Sequence, residues 1–353
     1  MRIGKRKEKH LFFVQSDFHY MICESIIKQN ELNKEQCYFA SKRGVKIGNG
    51  EQQYTLPLEG GLMYYLSHRK EVESFYKDCD VTYYVPFRGY PRERDVKNLV
   101  FFEEGLSAFC VRSAISENRQ SRSKRERLFG GIRRKFRVYL TRLLVKKDML
   151  QFIDGIYYRT DDELKAKMQL YVCSSRSYEE WAHPLMHRTL LKINAECSEK
   201  YNVKQGDCLL VLDRFSKGAV HYPENHIKCV RAMLEYCKMR RCEYVWVKFH
   251  PGDFGNKDVK RTFEECARKI NLKIQYFDGR LEYLALQNIG VHFVSIHSTI
   301  LFYAPMLGDS NKSISFVRYM YEIDNKYKEH IQLYGGIERF LDFFSERVEC
   351  LEP

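Results

Sequence analysis

Two successive α/β domains, each built on a parallel sheet, are predicted by three observations. Short apolar runs rich in β-branched and aromatic residues alternate with segments of helical period, in the order βαβαβ, twice along the chain. The runs are of the type found in strands covered on both faces. The chain has 353 residues, enough for two domains of ordinary size, and 44% of them are hydrophobic.

The first element is His10-Leu-Phe-Phe-Val-Gln-Ser16, a strand ending at a serine fit to cap a helix from Asp17 to about Lys28. Gln36 to Ser41 reads as a second strand, Gly60-Gly61 opens a helix to about Lys77, and Val81 to Val85 is a third strand. Asn98 to Phe102 is a fourth and delivers Glu103-Glu104-Gly105 at its carboxyl end. Phe152 to Tyr158 and Met168 to Val172 read as two more. From Tyr178 to about Gln205 the chain is polar, and we read it as the inter-domain connection.

The second run opens with the strand Cys208 to Asp213 and a helix after Pro223 carrying Ile227, Val230, Leu234 and Cys237 on one face. A strand from Glu243 then ends at His250, where Pro251-Gly252 breaks the pairing, and a helix follows with Val259, Phe263, Cys266 and Ile270 on one face. Strands at Leu272–Phe277, Val291–Ile296 and Ser313–Val317 alternate with helices at Arg280–Asn288 and Ser298–Met306, and further helices follow Tyr321 and Gly336. The expected domains are 1–185, with a basic segment at 119–147, then 186–335, and a C-terminal helix over 336–353.

Composition narrows the function classes. No apolar run approaches the roughly 18 residues that span a bilayer, and the short basic amino terminus lacks a signal-peptide pattern. Twelve cysteines are scattered without a C-x-x-C pair, which fits a reducing cytoplasm rather than a disulfide framework or zinc site. Nearly all of the formal net charge of +13 lies between Arg119 and Lys147, where twelve arginines and lysines face Glu126 alone. There Leu128, Ile132, Phe136, Leu140 and Leu143 recur at helical spacing, so Arg133, Arg134, Lys135 and Arg137 are candidate contacts to an anionic membrane surface. The alternatives are a solvated positive loop or a polyanionic partner. No nucleic-acid-binding motif accompanies the charge, so no nucleic acid is expected.

Three polar clusters fall where ligands bind in open α/β sheets, at the carboxyl ends of strands: Glu103-Glu104-Gly105, His250-Pro251 and Ser298-Thr299. Each has a structural reading of its own, as a solvated turn, a strand terminator and a helix N-cap. A helix amino terminus lined by hydroxyls is also a ready phosphate site. Metal is not expected. Asp78-Cys79-Asp80 precedes a strand instead of following one, and His183 and His187 are separated by Pro184 and lack a third ligand.

In this order and placement the clusters resemble the short motifs of bacterial sialyltransferases of the lipo-oligosaccharide and capsular polysialic acid type. Those motifs are an acidic-acidic-glycine triplet, His-Pro, and a Ser-Ser or Ser-Thr pair. The matching residues are Glu103-Glu104-Gly105, then Lys248-Phe-His250-Pro251, then Ser295-Ile-His-Ser298-Thr299. Phe12-Phe-Val-Gln-Ser16-Asp17-Phe-His19 is similar to the opening strand-turn-helix of the lipo-oligosaccharide enzymes.

The resemblance implies two Rossmann-like domains facing across a cleft, the GT-B arrangement, with acceptor bound by the first and CMP-sugar donor by the second. It implies inverting, metal-independent transfer from CMP-sialic acid to a hydroxyl of a lipo-oligosaccharide, O-antigen or capsule, with no cofactor. Glu104 or Glu103 would be the general base. His250 and Pro251 with Ser298 and Thr299, and more weakly Ser295, would meet the CMP phosphate. Ser16, Asp17, His19 and Gly105 would lie on the acceptor side. The expected location is cytoplasmic and peripheral, on the inner face of the membrane; the oligomeric state is left open. Alternatives are transfer of another CMP-activated acid sugar (Kdo, pseudaminic or legionaminic acid) and a non-catalytic polyanion-binding protein on the same scaffold.

Overall fold

The computed structural model describes residues 7–41, 45, 47, 52–54, 79–86, 99–103, 105, 169–173, 187–195, 200–215, 219–241, 244–253, 255–342, 344 and 348–352. The chain divides near residue 195 into two compact units. The basic segment, the helix expected after Gly60 and the strand expected at Phe152–Tyr158 lie outside the described residues, as do Glu104, Arg133, Arg134, Lys135 and Arg137.

The first unit is a seven-stranded sheet. Its strands are β1 (Lys7–Val14), β2 (Cys37–Ser41), β3 (Gln52–Tyr54), β4 (Cys79–Pro86), β5 (Leu99–Phe102), β6 (Gln169–Val172) and β7 (His187–Leu190). They lie in the order β3-β2-β1-β4-β5-β6-β7, and every pairing is parallel. Leu11, Phe12, Phe13 and Val14 of central β1 are all buried in succession, because a parallel strand is covered on both faces. The ring of Phe12 stacks between Tyr84 and Phe39, at 4.2 and 5.4 Å. Helix α1 (Asp17–Gln29) starts where Ser16 caps it, its Oγ accepting the His19 amide at 3.2 Å. β7 falls in the stretch read from sequence as a connection. It is an edge strand with two exposed and two half-buried residues, so the apolar signal that reveals inner strands is missing.

The second unit is a six-stranded, wholly parallel sheet. Its strands are β8 (Cys208–Val211), β9 (Val245–Lys248), β10 (Ile274–Tyr276), β11 (His292–Ser295), β12 (Lys312–Ser315) and β13 (Val348–Cys350). The helices are α2 (Pro223–Met239), α3 (Lys257–Lys269), α4 (Leu281–Leu286), α5 (Thr299–Leu307), α6 (Val317–Ile323), α7 (Asn325–Gln332) and α8 (Ile337–Leu341). The strand order is β10-β9-β8-β11-β12-β13. All four residues of β8 are buried, and α5 buries Ile300 through Pro305 without a polar face, which fits a helix enclosed by the unit's core.

Three local details depart from the sequence reading. The strand expected to reach Val317 stops at Ser315, whose Oγ accepts the Val317 amide at 3.2 Å and turns the chain into α6. Helix α2 buries His226, Cys229, Val230, Met233, Leu234 and Cys237, leaving Ile227 only half-buried. The face is rotated because His226 stacks on Phe215, ring centres 3.7 Å apart. In the region expected to be a closing helix, α8 is short and β13 then joins the sheet edge beside β12.

Both sheets, counted within their own unit, therefore begin 3-2-1-4-5-6, the order of a doubly wound Rossmann-like domain. Such a sheet has a switch point where successive connections run off in opposite directions. It falls between β1 and β4 in the first unit and between β8 and β11 in the second. No helix among the described residues is long and apolar enough to cross a membrane.

Candidate functional site

In the first unit, Glu103 follows β5 and is completely buried. Its Oε2 accepts the Cys173 amide at 2.8 Å, and its own amide donates to the Tyr171 carbonyl at 3.0 Å. The carboxylate thus ties the end of β5 to the end of β6. Burial, reinforced by the Glu103 charge, pushes the Cys173 thiol well above its ordinary pKa. Gly105 has φ +117°, a left-handed backbone that a side chain would resist, so this position favours glycine. Beyond β1, His19 is buried, its Nδ1 accepts the Gln15 amide at 3.3 Å, and its ring meets Phe102 edge-on at 5.4 Å. Ser16 and His19 thus shape the strand-to-helix turn, and Phe102 links that turn to the strand bearing Glu103. Asp17, in the first turn of α1, is half-buried.

In the second unit the sequence candidates converge on the switch point. β9 ends at Lys248, and Phe249 and His250 lead into the short 3-10 turn Pro251–Asp253. The Gly252 amide donates to His250 Nδ1 at 2.9 Å, which leaves Nε2 as the ring's hydrogen-bearing nitrogen. A Cβ on Gly252 would stand 3.1 Å from both Arg214 Nε and His250 Nδ1, so only a glycine lets these two cationic-type side chains flank the turn undisturbed. Asp253 is buried and its Oδ2 accepts the Phe215 amide at 2.6 Å, binding the His-Pro turn to the segment leaving β8.

Across the seam, β11 leads through Ile296 and His297 to Ser298, the N-cap of α5. The Ser298 side chain makes no capping hydrogen bond, and Ser298 and Thr299 are both partly exposed. Ser295 differs: it is buried, and its Oγ donates to the Val211 carbonyl at 2.6 Å. It stitches β11 to β8 inside the sheet. The arrangement offers an imidazole N–H, a guanidinium, two hydroxyls and a helix amino terminus, all suited to a phosphate.

Sequence reasoning missed Arg214 and the polar groups packed behind this surface. Asp213 follows β8; its carboxylate accepts the backbone amides of Ile296 and His297, lies 3.5 Å from Ser295 Oγ and stands 3.6 Å from His297 Nδ1. Burial raises its pKa, an effect opposed by His221, His250 and these amides. His221 and His226, with ring centres 3.8 Å apart, find no hydrogen-bond partner for any ring nitrogen among the described residues. Burial depresses His221 and His297 to about 4, His226 to about 2 and His330 to about 3, so all four are neutral at pH 7. The signal for Asp213 and Arg214 was available, since they sit at a strand's carboxyl end like the other candidates. The histidines are spread over residues 221–330 with no motif spacing.

Comparison with known proteins follows the same line. Residues 79–317 match the model of the alpha-2,8-polysialyltransferase (POLYST) family. No curated protein matches the chain. Among solved structures it is similar to the sialyltransferase of Photobacterium damselae, residues 113–497 corresponding to the GT-B domain, with 10% identity, a TM-score of 0.47, and coverage of 97% of this chain and 99% of that one. It is also similar to the UDP-GlcNAc 2-epimerase of Methanocaldococcus jannaschii, with 10% identity, a TM-score of 0.46, and coverage of 98% and 89%. At that distance neither likeness bears on the site. The family match spans well over half of the chain and takes in β5, the His-Pro turn and the Ser-Thr helix start, so this protein belongs to the alpha-2,8-polysialyltransferase family and is a glycosyltransferase of the sialyltransferase class.

Proposed function

We propose that the chain transfers sialic acid from CMP-sialic acid to a hydroxyl of a cell-surface glycan, with inversion and without a metal ion. The observation that carries this reading is the switch region of the second unit, where the carboxyl ends of β9, β8 and β11 carry His250, Arg214 and the Ser298-Thr299 start of α5. A departing CMP bears one phosphate, and this set of donors supplies the counter-charge that a divalent cation otherwise brings to diphosphate donors.

The acceptor hydroxyl needs a base. Glu103 is buried and holds the Cys173 amide, so we assign proton removal to Glu104, with Asp17 and Gly105 beside the acceptor. The family's description names an α-2,8 linkage, which makes a sialylated, and so anionic, glycan the acceptor we favour. The basic segment at 119–147 then holds either that acceptor or the anionic inner face of the membrane, where each such charge contributes about 1 kcal/mol.

The test is release of CMP from a panel of CMP-sugars, with and without sialylated acceptors and with excess EDTA. Release from CMP-sialic acid that needs acceptor and survives EDTA is expected. Turnover abolished by EDTA and restored by magnesium or manganese rejects the metal-free site. Release only from CMP-Kdo rejects the donor. Binding of long polyanions in preference to CMP, with no turnover, rejects the enzymatic reading of this site.

A further inference from the structure

We propose that Asp213 is a positioning residue of the donor site, holding the turn 296–299 so that the amino terminus of α5 presents its N–H groups to the donor phosphate. This deepens the reading above and rests on it.

A carboxylate beside a phosphate site is at first sight adverse, since two anions repel. Asp213 nevertheless sits at the switch point, at the carboxyl end of β8, the neighbour of β11. Its oxygens face the turn that joins β11 to α5. They accept two successive backbone amides there, from Ile296 and His297, and Ser295 Oγ lies 3.5 Å from Oδ2. Two consecutive amides pointing at one carboxylate fix the peptide planes of the turn, and the following amides, at the start of α5, are then set by helix geometry. The repulsion is muted because the carboxylate's charge is met by those amides.

The register leaves little freedom. Ser295 Oγ already holds the Val211 carbonyl at 2.6 Å, so β8 and β11 are locked just before the turn. On the far side Ser315 Oγ donates to the Ile296 carbonyl at 2.8 Å, so residue 296 is held through both its N–H and its C=O. Asp213 is the member of this clamp that a conservative change can disable without altering volume. Asp213→Asn keeps the shape and one acceptor but turns an NH2 toward one of the two amides.

The experiment measures CMP affinity by calorimetry, kcat and KM for CMP-sialic acid, and the thermal midpoint, for wild type and Asp213→Asn. The expected result is CMP affinity weakened about tenfold and KM raised similarly, with kcat changed less and the midpoint nearly unchanged. A lowered midpoint with CMP affinity intact overturns the inference, because Asp213 then serves stability alone. If wild type itself fails to bind CMP, the donor-site reading has failed. If wild type binds and Asp213→Asn binds equally well, only the inference has failed. Should the variant not fold, amide exchange on wild type decides. Protection at 296–297 before CMP is added is expected. Free exchange there until CMP binds overturns the claim that the turn is held in advance.

Discussion

The two units share a strand order and differ in what they place at the ends of their strands. In the first, the sheet is filled with aromatic rings, and the one fully buried carboxylate among its described residues, Glu103, has the Cys173 amide as a partner. In the second, a largely buried carboxylate and four histidines with depressed pKa values cluster near the switch point, and three of those histidines have ring nitrogens with no hydrogen-bond partner among the described residues. Buried polar groups without partners oppose folding, typically by about 1–3 kcal/mol each. Two sheets of one topology therefore differ in what they carry: the first is organised for packing, and the second gives up stability at the place where we propose the donor phosphate binds.

Acid gives the largest separation between the units. The four histidines have folded-state pKa values well below the ordinary 6.5, so above that pH they add no pH-dependent cost. As pH falls below 6.5 the unfolded chain takes up protons that the folded unit refuses, and stability drains down to the folded-state values. By pH 5 the loss is about 1 to 2 kcal/mol per histidine. Asp213, whose pKa is raised, works in the opposite sense with a single group. The first unit has a depressed histidine in His10. Peptide-resolved hydrogen exchange across pH 7 to 4.5 should thus show the second unit opening first. Simultaneous opening would mean that the cluster is not the difference between them.

Removing the base comes next. Glu104→Gln should lower kcat by about 100- to 10,000-fold while CMP affinity stays within about twofold, read from initial rates beside calorimetry. Wild-type rates in this variant would move the base elsewhere. On the donor side His250→Ala should weaken CMP about tenfold and slow transfer as well. Gly252→Ala should weaken it only a few fold, because its methyl crowds Arg214 and His250 at 3.1 Å and both side chains can give way slightly. A full loss in Gly252→Ala with His250→Ala intact would reverse their roles. The smallest effect belongs to the first unit. Glu103→Ala leaves the Cys173 amide unpaired and should cost about 1–3 kcal/mol in that unit without touching CMP affinity. A change in CMP binding there would contradict the division of labour between units.

Much of the fold and part of the site were legible in the sequence. Inner strands such as Cys208–Val211 announce themselves because both faces are apolar, and Glu103, His250 and Ser298 stand where those runs end. Two of the edges were not legible. His187–Leu190 and Val348–Cys350 pair on one side only and carry polar residues, so no run marks them. Nor could alternation assign the two glutamates, since both faces of a parallel sheet are covered and either parity can point inward. The histidine cluster was out of reach for another reason. His221 and His226 at the start of α2, His297 before α5 and His330 in α7 come from three separate places, and the winding of the chain brings them together.

The cysteines give the chain a pair of internal clocks. Cys173 lies against Glu103 in the first unit and Cys229 on the buried face of α2 in the second, each with its thiol pKa pushed well above normal by burial. A sealed, protonated thiol reacts with an alkylating reagent only when its surroundings open. The rate at which each is labelled, followed peptide by peptide in the unmodified protein, therefore times the breathing of one unit independently of the other. A ligand that grips the second unit should stop the Cys229 clock and leave the Cys173 clock running.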